Sequence, residues 1–112
     1  MALIGSRTAP SAATGTKNSS GDNELVAAPG AGKQIVISAL VLQNESSTAT
    51  TMILKAGATA LLRCLGQNQG DGLALALAAG RELQLGNNAA LNLNLSGANA
   101  CGYSVLYYVD AV

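Results

Sequence analysis

The chain has 112 residues, which suits one domain and is too short for two independent cores. Its six acidic and six basic residues leave a formal charge of zero, and the scattered basic residues argue against nucleic-acid binding, which needs clustered Lys and Arg. No His is present and the two Cys are far apart, so no metal site is expected, and no apolar run reaches the roughly 18 residues of a transmembrane helix.

The N-terminal part is polar. Residues 5–24 are rich in Ser, Thr, Ala, Gly and Asn, and such a composition buries too little surface to offset its own ordering entropy. We expect a flexible or extended arm at residues 1–24, either disordered or ordered on a neighbouring subunit, and a domain at residues 25–112. The start lacks the pattern of a secretory signal, so we expect the protein to be made and kept inside a cell.

From residue 33 onward the sequence predicts a series of β-strands. The first is rich in β-branched residues and ends at the polar turn Asn44-Glu45-Ser46-Ser47. Another is expected where Leu alternates with Ala after Gly72, although both residue types favour helix. In chain order, these first strands are expected at residues 33–44, 50–56, 60–65, 73–78 and 83–85.

The clearest alternation lies near the C-terminus, over residues 91–96 and 101–110, where apolar and polar residues follow each other with a period of two. About seven strands result, or eight with one near Leu25, at intervals of roughly 8–12 residues. No interval is long enough for the crossover helix of a parallel sheet. The sequence therefore predicts an all-β fold, a single antiparallel β-sandwich of jelly-roll type.

Two of the predicted strands, at residues 33–44 and 101–110, carry apolar side chains on both faces. We expect these side chains to face the core: Ile35, Ile37, Ala39, Val41, Tyr103, Val105, Tyr107 and Val109. That choice leaves Val36, Leu40, Leu42, Leu106 and Tyr108 outside. Either the arm or another subunit covers them, and we favour a subunit contact through Leu40, Leu42, Leu106 and Tyr108. Aromatic residues are only 3% of the chain, so the core is thin, and we expect a homodimer or homotrimer.

No motif predicts chemistry. Gly30-Ala31-Gly32-Lys33 lacks the other residues of a phosphate-binding loop and precedes a strand, so we interpret it as a turn. We interpret the glycosylation triplet Asn44-Glu45-Ser46 as a turn as well. The acidic residues fall mostly in predicted turns, so we expect no enzyme, catalytic residue or cofactor. Cys64 and Cys101 are expected to be reduced and buried, although one pairing exists if their strands meet.

The polar arm, the strand at residues 34–44 and the segments at residues 83–95 and 102–109 resemble the small jelly-roll decoration, or cement, proteins of tailed bacteriophage capsids. The likeness covers residues 25–112 and is one of pattern and length. It implies a non-enzymatic protein, made in the host cytoplasm, that sits on the outer surface of the expanded head and bridges major capsid subunits. It also implies that the arm contacts the shell, with these candidates: Leu3, Ile4, Arg7 and Lys17.

Two other functions remain open, because the fold does not decide between them. One is a tail-associated or receptor-binding β-sandwich of a phage. The other is a small intracellular β-sandwich that binds a ligand or a protein, for which an aromatic-lined cleft would be evidence. Carbohydrate binding would have to use the three tyrosines, since the chain contains no other aromatic residue.

Overall fold

The computed structural model describes residues 9–112, and within this range it contains nine β-strands and no helix that could span a membrane. In chain order the strands are β1 (Ser11–Lys17), β2 (Gly21–Val26), β3 (Lys33–Asn44), β4 (Thr50–Ala56), β5 (Thr59–Gly66), β6 (Gly72–Ala76), β7 (Leu83–Gln84), β8 (Leu91–Leu95) and β9 (Cys101–Ala111). The alternating Leu and Ala after Gly72 do form a strand, β6, as the period of two predicts.

The strands form two antiparallel sheets that pack face to face. Sheet I has the order β1-β9-β3-β6, with β7 also paired to β3, and sheet II has the order β2-β8-β4-β5. Apart from the β4–β5 and β6–β7 connections, each strand lies in the other sheet from the strand before it. Two Greek keys interleaved in this way make a jelly roll. The predicted β-sandwich of jelly-roll type is confirmed.

The domain begins before residue 25, which corrects the expected boundary. β1 pairs with β9 along its whole length, from Ser11 opposite Tyr107 to Lys17 opposite Cys101, and β2 pairs with β8. Both are edge strands: most side chains of β1 are exposed, so backbone hydrogen bonds to β9 hold it in place, whereas β2 also packs Leu25 and Val26 against the core. A composition-based argument missed them because an edge strand needs few apolar residues. Residues 1–8 lie outside the described part of the chain.

The core lies between the two sheets and is built from aliphatic side chains. Every second residue of β8 points into it, and its partners on β4 do the same. Leu73 and Leu75 of β6 pack against it from the edge. The largest fully buried apolar side chains are Ile35, Ile37, Leu40, Leu42, Met52, Leu54, Leu91, Leu93, Leu95, Val105 and Val36, of which Val36 lies outside the core cluster.

A β-bulge at Ser38 changes which face β3 presents. Ile37 lies opposite Tyr107 and Ala39 lies opposite Leu106, so Ser38 is one extra residue in the pairing of β3 with β9. Ile35 and Ile37 face the core as expected. Beyond the bulge the alternation is reversed.

The reversal overturns part of the prediction for β3. Leu40 and Leu42 are each 1% exposed and belong to the core, while Val41 is 46% exposed. The expectation that Ala39 and Val41 face the core is therefore wrong, and so is the outward placement of Leu40 and Leu42. A strict two-residue period cannot represent an inserted residue, and a shift of one residue exchanges the two faces of a strand.

Candidate functional site

The outer surface of sheet I carries a group of small and aliphatic side chains. The pairing places Leu106 between Ala12 and Ala39, and Val41 between Ser104 and Ala74. Leu106 is 48% exposed, and Val41 is nearly as exposed. We call this surface the apolar face; its residues are Ala12, Ala39, Val41, Ala74, Ala76, Ser104 and Leu106.

The apolar face is concave. A depression of about 550 Å³ lies over it, with walls formed by Val41 and Leu106. Its base is formed by three alanines, which we call the alanine floor: Ala39, Ala74 and Ala76. The concavity exists because β6 presents only small side chains outward, so nothing within residues 9–112 fills the space beside the larger side chains of β3 and β9.

The polar groups of this surface already have partners within the chain. The hydroxyls of Thr14 and Ser104 share a hydrogen bond of 2.9 Å, and the Thr14 hydroxyl also donates to the Tyr103 carbonyl at 3.1 Å. At one end of the sheet, the Thr16 hydroxyl donates to the Glu45 carboxylate at 3.0 Å. Because these groups are paired, covering the surface would leave them satisfied, which keeps the cost of removing water low.

The outer surface of sheet II is more polar, although Leu65 of β5 is exposed there. The Lys55 ammonium lies 3.1 Å from the Asp22 carboxylate, and the Asn94 amide donates to the same carboxylate at 2.7 Å. The hydrogen bond from Asn94, followed by the contact with Lys55, holds the pKa of Asp22 below its ordinary value of 3.8. Ionic and amide groups of this kind favour contact with water. The two outer surfaces therefore differ, and the surface of sheet I is the one suited to contact.

Of the four residues predicted for the subunit contact, only Leu106 lies on the apolar face. Leu40 and Leu42 are core residues, because the bulge at Ser38 turns them inward. Tyr108 points to the outer side of sheet I, but it is 5% exposed and its hydroxyl donates to the Glu82 carboxylate at 2.8 Å. Tyr108 is therefore already buried in the single chain and cannot be a contact residue without rearrangement.

Sequence reasoning missed most of the apolar face. Val41 was assigned to the core, and the alternation of Leu73 and Leu75 with Ala74 and Ala76 was not used to place the alanines outside. That alternation was the available signal, since the leucines of a two-faced strand go to the core. The bulge that exposes Val41 left no signal in the sequence.

The candidates for shell contact are only partly placed by the structure. Lys17 lies at the end of β1, opposite Cys101, and is half-buried. Leu3, Ile4 and Arg7 fall outside residues 9–112. β1 is an edge strand of sheet I, so the backbone groups along its outer edge pair with no other strand of the described chain. Such an edge can accept a further strand.

No reactive cluster accompanies the apolar face. Residues 9–112 contain no group of three or more His, Cys, Asp or Glu side chains placed to hold a metal ion. Both thiols are free; Cys101 is buried with its sulfur 3.1 Å from that of Met52, and Cys64 lies opposite Met52 in the β4–β5 pairing. Burial raises the pKa of Cys101 to about 11, so this thiol is protonated at neutral pH and a poor nucleophile.

No protein-family model matches the chain, and no curated protein matches it by sequence. By structure it is similar to the chain in the cryo-EM structure of the virus-like particle of extra small virus from the giant freshwater prawn, Macrobrachium rosenbergii. The identity is 8%, the TM-score is 0.48, and the match covers 94% of this chain and 82% of that chain. At this level of likeness, function has to be inferred from the chain's own residues.

Proposed function

We propose that this chain is a non-enzymatic structural protein of a virus particle, a decoration or cement protein of a tailed-phage capsid. In this proposal it binds the outer surface of the expanded head and bridges major capsid subunits. Its partners are the major capsid protein and further copies of itself, as a homodimer or homotrimer, and neither nucleic acid nor membrane. It would be made in the host cytoplasm and reside on the capsid surface.

The observation that carries the proposal is the contrast between the two outer surfaces of the sandwich. The apolar face of sheet I suits a contact that excludes water, and the ionic surface of sheet II suits exposure to solvent. A protein that acts by contact needs both, whereas a catalyst needs a polar cleft with titratable groups. The jelly roll adds general support, since it is common in viral capsid proteins, although lectins and cupins use it too.

The proposed mechanism is stabilisation by binding. A protein that binds the assembled shell and not the separated subunits shifts the equilibrium towards the shell. In this proposal neighbouring copies meet through the apolar face, while the free edge of β1, with Lys17 at its end, is directed to the shell subunits. No chemical step is involved.

The first test is the copy number of this chain in purified virions, measured by quantitative mass spectrometry relative to the major capsid protein. A number comparable to that of the major capsid protein is expected for a decoration protein. A handful of copies per particle would contradict the proposal and point to a tail or receptor-binding component.

A binding experiment complements the count. Purified chain is mixed with expanded shells that lack it and with unexpanded shells as the matched control, and bound protein is measured after sedimentation. The proposal expects binding to expanded shells only, together with a higher temperature of shell disruption. Equal binding to both shells, or to neither, would contradict it.

One observation favours a second candidate, a ligand-binding or protein-binding β-sandwich. The concavity of about 550 Å³ over the alanine floor falls within the size range of small-molecule sites and is almost entirely apolar. No aromatic ring lines it, so it would suit an aliphatic group and not a sugar. Complete absence of the chain from virions, combined with binding of an aliphatic probe such as decanoate, would favour this candidate.

A further inference from the structure

The exposed side chains of the apolar face and the depression beside them lie on the same surface. Leu106 stands between two alanines, Ala12 and Ala39, so most of its exposed part projects above its neighbours. The alanine floor, by contrast, has room for an aliphatic side chain from outside. A surface that carries both a projection and a matching depression can pack against a copy of itself.

We propose that two copies of this chain pack their apolar faces together about a two-fold axis, with Leu106 of each copy seated on the alanine floor of the other. A two-fold interface uses the same patch on both subunits, so each projection has one depression to fill and none is left over. This inference rests on the proposed function, because it names the partner of the surface that was proposed there as a contact.

The charge distribution favours a second copy over a charged partner. The seven side chains of the apolar face carry no charge, so pairing the face with itself brings no like charges together at its centre. Glu45 lies beyond the face, at the Thr16 end of the sheet, where it is exposed and can keep its water. The apolar face has no charged group that could pair with an acidic or basic partner, so it offers no electrostatic specificity for such a partner.

The size of the apolar face suits the centre of a dimer interface. Four strands spaced about 4.8 Å apart, along which the residues of the face span roughly three positions of about 3.4 Å each, cover about 200 Å² in projection. A standard interface buries about 800 Å² per partner and consists of an apolar centre with a polar rim. The face can supply the centre, and the surrounding polar residues Thr14, Thr16 and Gln43 can supply the rim. We therefore expect a dimer that dissociates on dilution.

The test is sedimentation equilibrium of the full chain over a wide concentration range, with Leu106→Ala as the main variant. We expect a monomer–dimer equilibrium whose Kd rises about 30-fold in the variant. The dimer no longer buries the half of Leu106 that is exposed in the monomer, and the two-fold axis repeats this loss of apolar burial in the second copy. The matched control is Leu65→Ala on β5 of sheet II, because Leu65 is also a leucine and is 60% exposed. Its Kd should stay within about twofold of the native value.

A second variant tests the seating itself. Ala76→Leu fills the alanine floor and should weaken the dimer, because the incoming Leu106 loses its space. In the double variant Leu106→Ala with Ala76→Leu, the projection and the depression are exchanged. The Kd of its dimer should therefore be lower than the value obtained by multiplying the fold changes of the two single variants. Far-UV circular dichroism of each variant checks that the β fold is retained. Strictly additive effects would overturn the proposed seating.

Other outcomes would overturn the dimer. A monomer at all concentrations, a trimer, or equal effects of the Leu106 and Leu65 substitutions would each do so. An unchanged mass with loss of binding to expanded shells in Leu106→Ala would assign the apolar face to the shell subunit instead. The proposed function fails separately. If the chain is a dimer in solution but is absent from virions, the dimer proposal stands and the capsid role is contradicted. If the chain is abundant in virions but monomeric in solution, the capsid role stands and the dimer proposal is contradicted.

Discussion

Replacement of Asn44 by alanine should destabilise the fold although this residue lies at the end of a strand, next to a turn. Its side chain is fully buried. The amide nitrogen donates to the carbonyl of Gly66 at 2.9 Å and to that of Thr48 at 3.0 Å, and the amide oxygen accepts from the backbone nitrogen of Ser46 at 3.0 Å. One side chain therefore ties the β3–β4 turn to the end of β5.

The magnitude follows from what the substitution leaves unpaired. The Gly66 carbonyl bond is buried and costs about 2 kcal/mol when its donor is lost, while the two partly buried groups cost about 1 kcal/mol each. The sum, about 4 kcal/mol, is a large part of the 5–15 kcal/mol that typically holds a domain together. Asn44→Asp should cost at least as much, because it replaces the donor by a second acceptor that faces both carbonyls.

The assay is equilibrium unfolding in urea, followed by far-UV circular dichroism at a protein concentration low enough to suppress association. The matched control is Gln43→Ala, since the neighbouring amide is exposed and makes one long hydrogen bond of 3.3 Å to the Gly70 carbonyl. That control should change the free energy of unfolding by less than about 0.5 kcal/mol. A loss below about 1 kcal/mol for Asn44→Ala would refute the view that this amide joins the two loops.

Three further substitutions or reactions test other parts of the structure. Gly72→Ala should lower the free energy of unfolding by about 3 kcal/mol, because the added methyl group would overlap the carbonyl oxygen of Leu42 on the paired strand; urea unfolding within about 1 kcal/mol of native would contradict this. Leu93→Ala should cost about 3 kcal/mol in the same assay, since it opens a cavity at a fully buried site, and a loss below about 1 kcal/mol would show that the site collapses. In the native protein at neutral pH, iodoacetamide should modify the half-buried Cys64 well before Cys101, because burial raises the pKa of Cys101 to about 11. Both cysteines should react once urea unfolds the chain. Equal modification rates of the two cysteines in the native protein, measured by peptide mass spectrometry, would count against this.

The sequence was sufficient for the fold class and for the strands with a strong period. The alternation of leucine with asparagine in β8 leaves only one way to place the leucines, and the structure buries all three. β6 was correctly predicted as a strand against the helix propensity of Ala and Leu, because tertiary pairing with β3 outweighs a weak local preference.

The candidate site was harder to predict, for two physical reasons. Edge strands such as β1 gain their stability from backbone pairing, so their composition resembles that of a flexible segment. The inner or outer position of Leu40, Val41 and Leu42 depends on a bulge, and a bulge depends on the register with β9 and not on the identity of Ser38. Leu106 was correctly placed outside because the extra residue lies on β3, so the two-residue alternation of β9 is not interrupted.

The bulge at Ser38 gives β3 one residue more than its pairing with β9 requires. Deleting Ser38 would place Ala39 directly after Ile37 in a regular alternation, so Leu40 and Leu42 would still face the core and Val41 would still face outward. What the deletion would remove is the bend and the extra twist that a bulge adds to its strand. In sequences related to this one, we therefore expect the inward positions of Ile37, Leu40 and Leu42 to be retained, whether the strand keeps the bulged residue or lacks it.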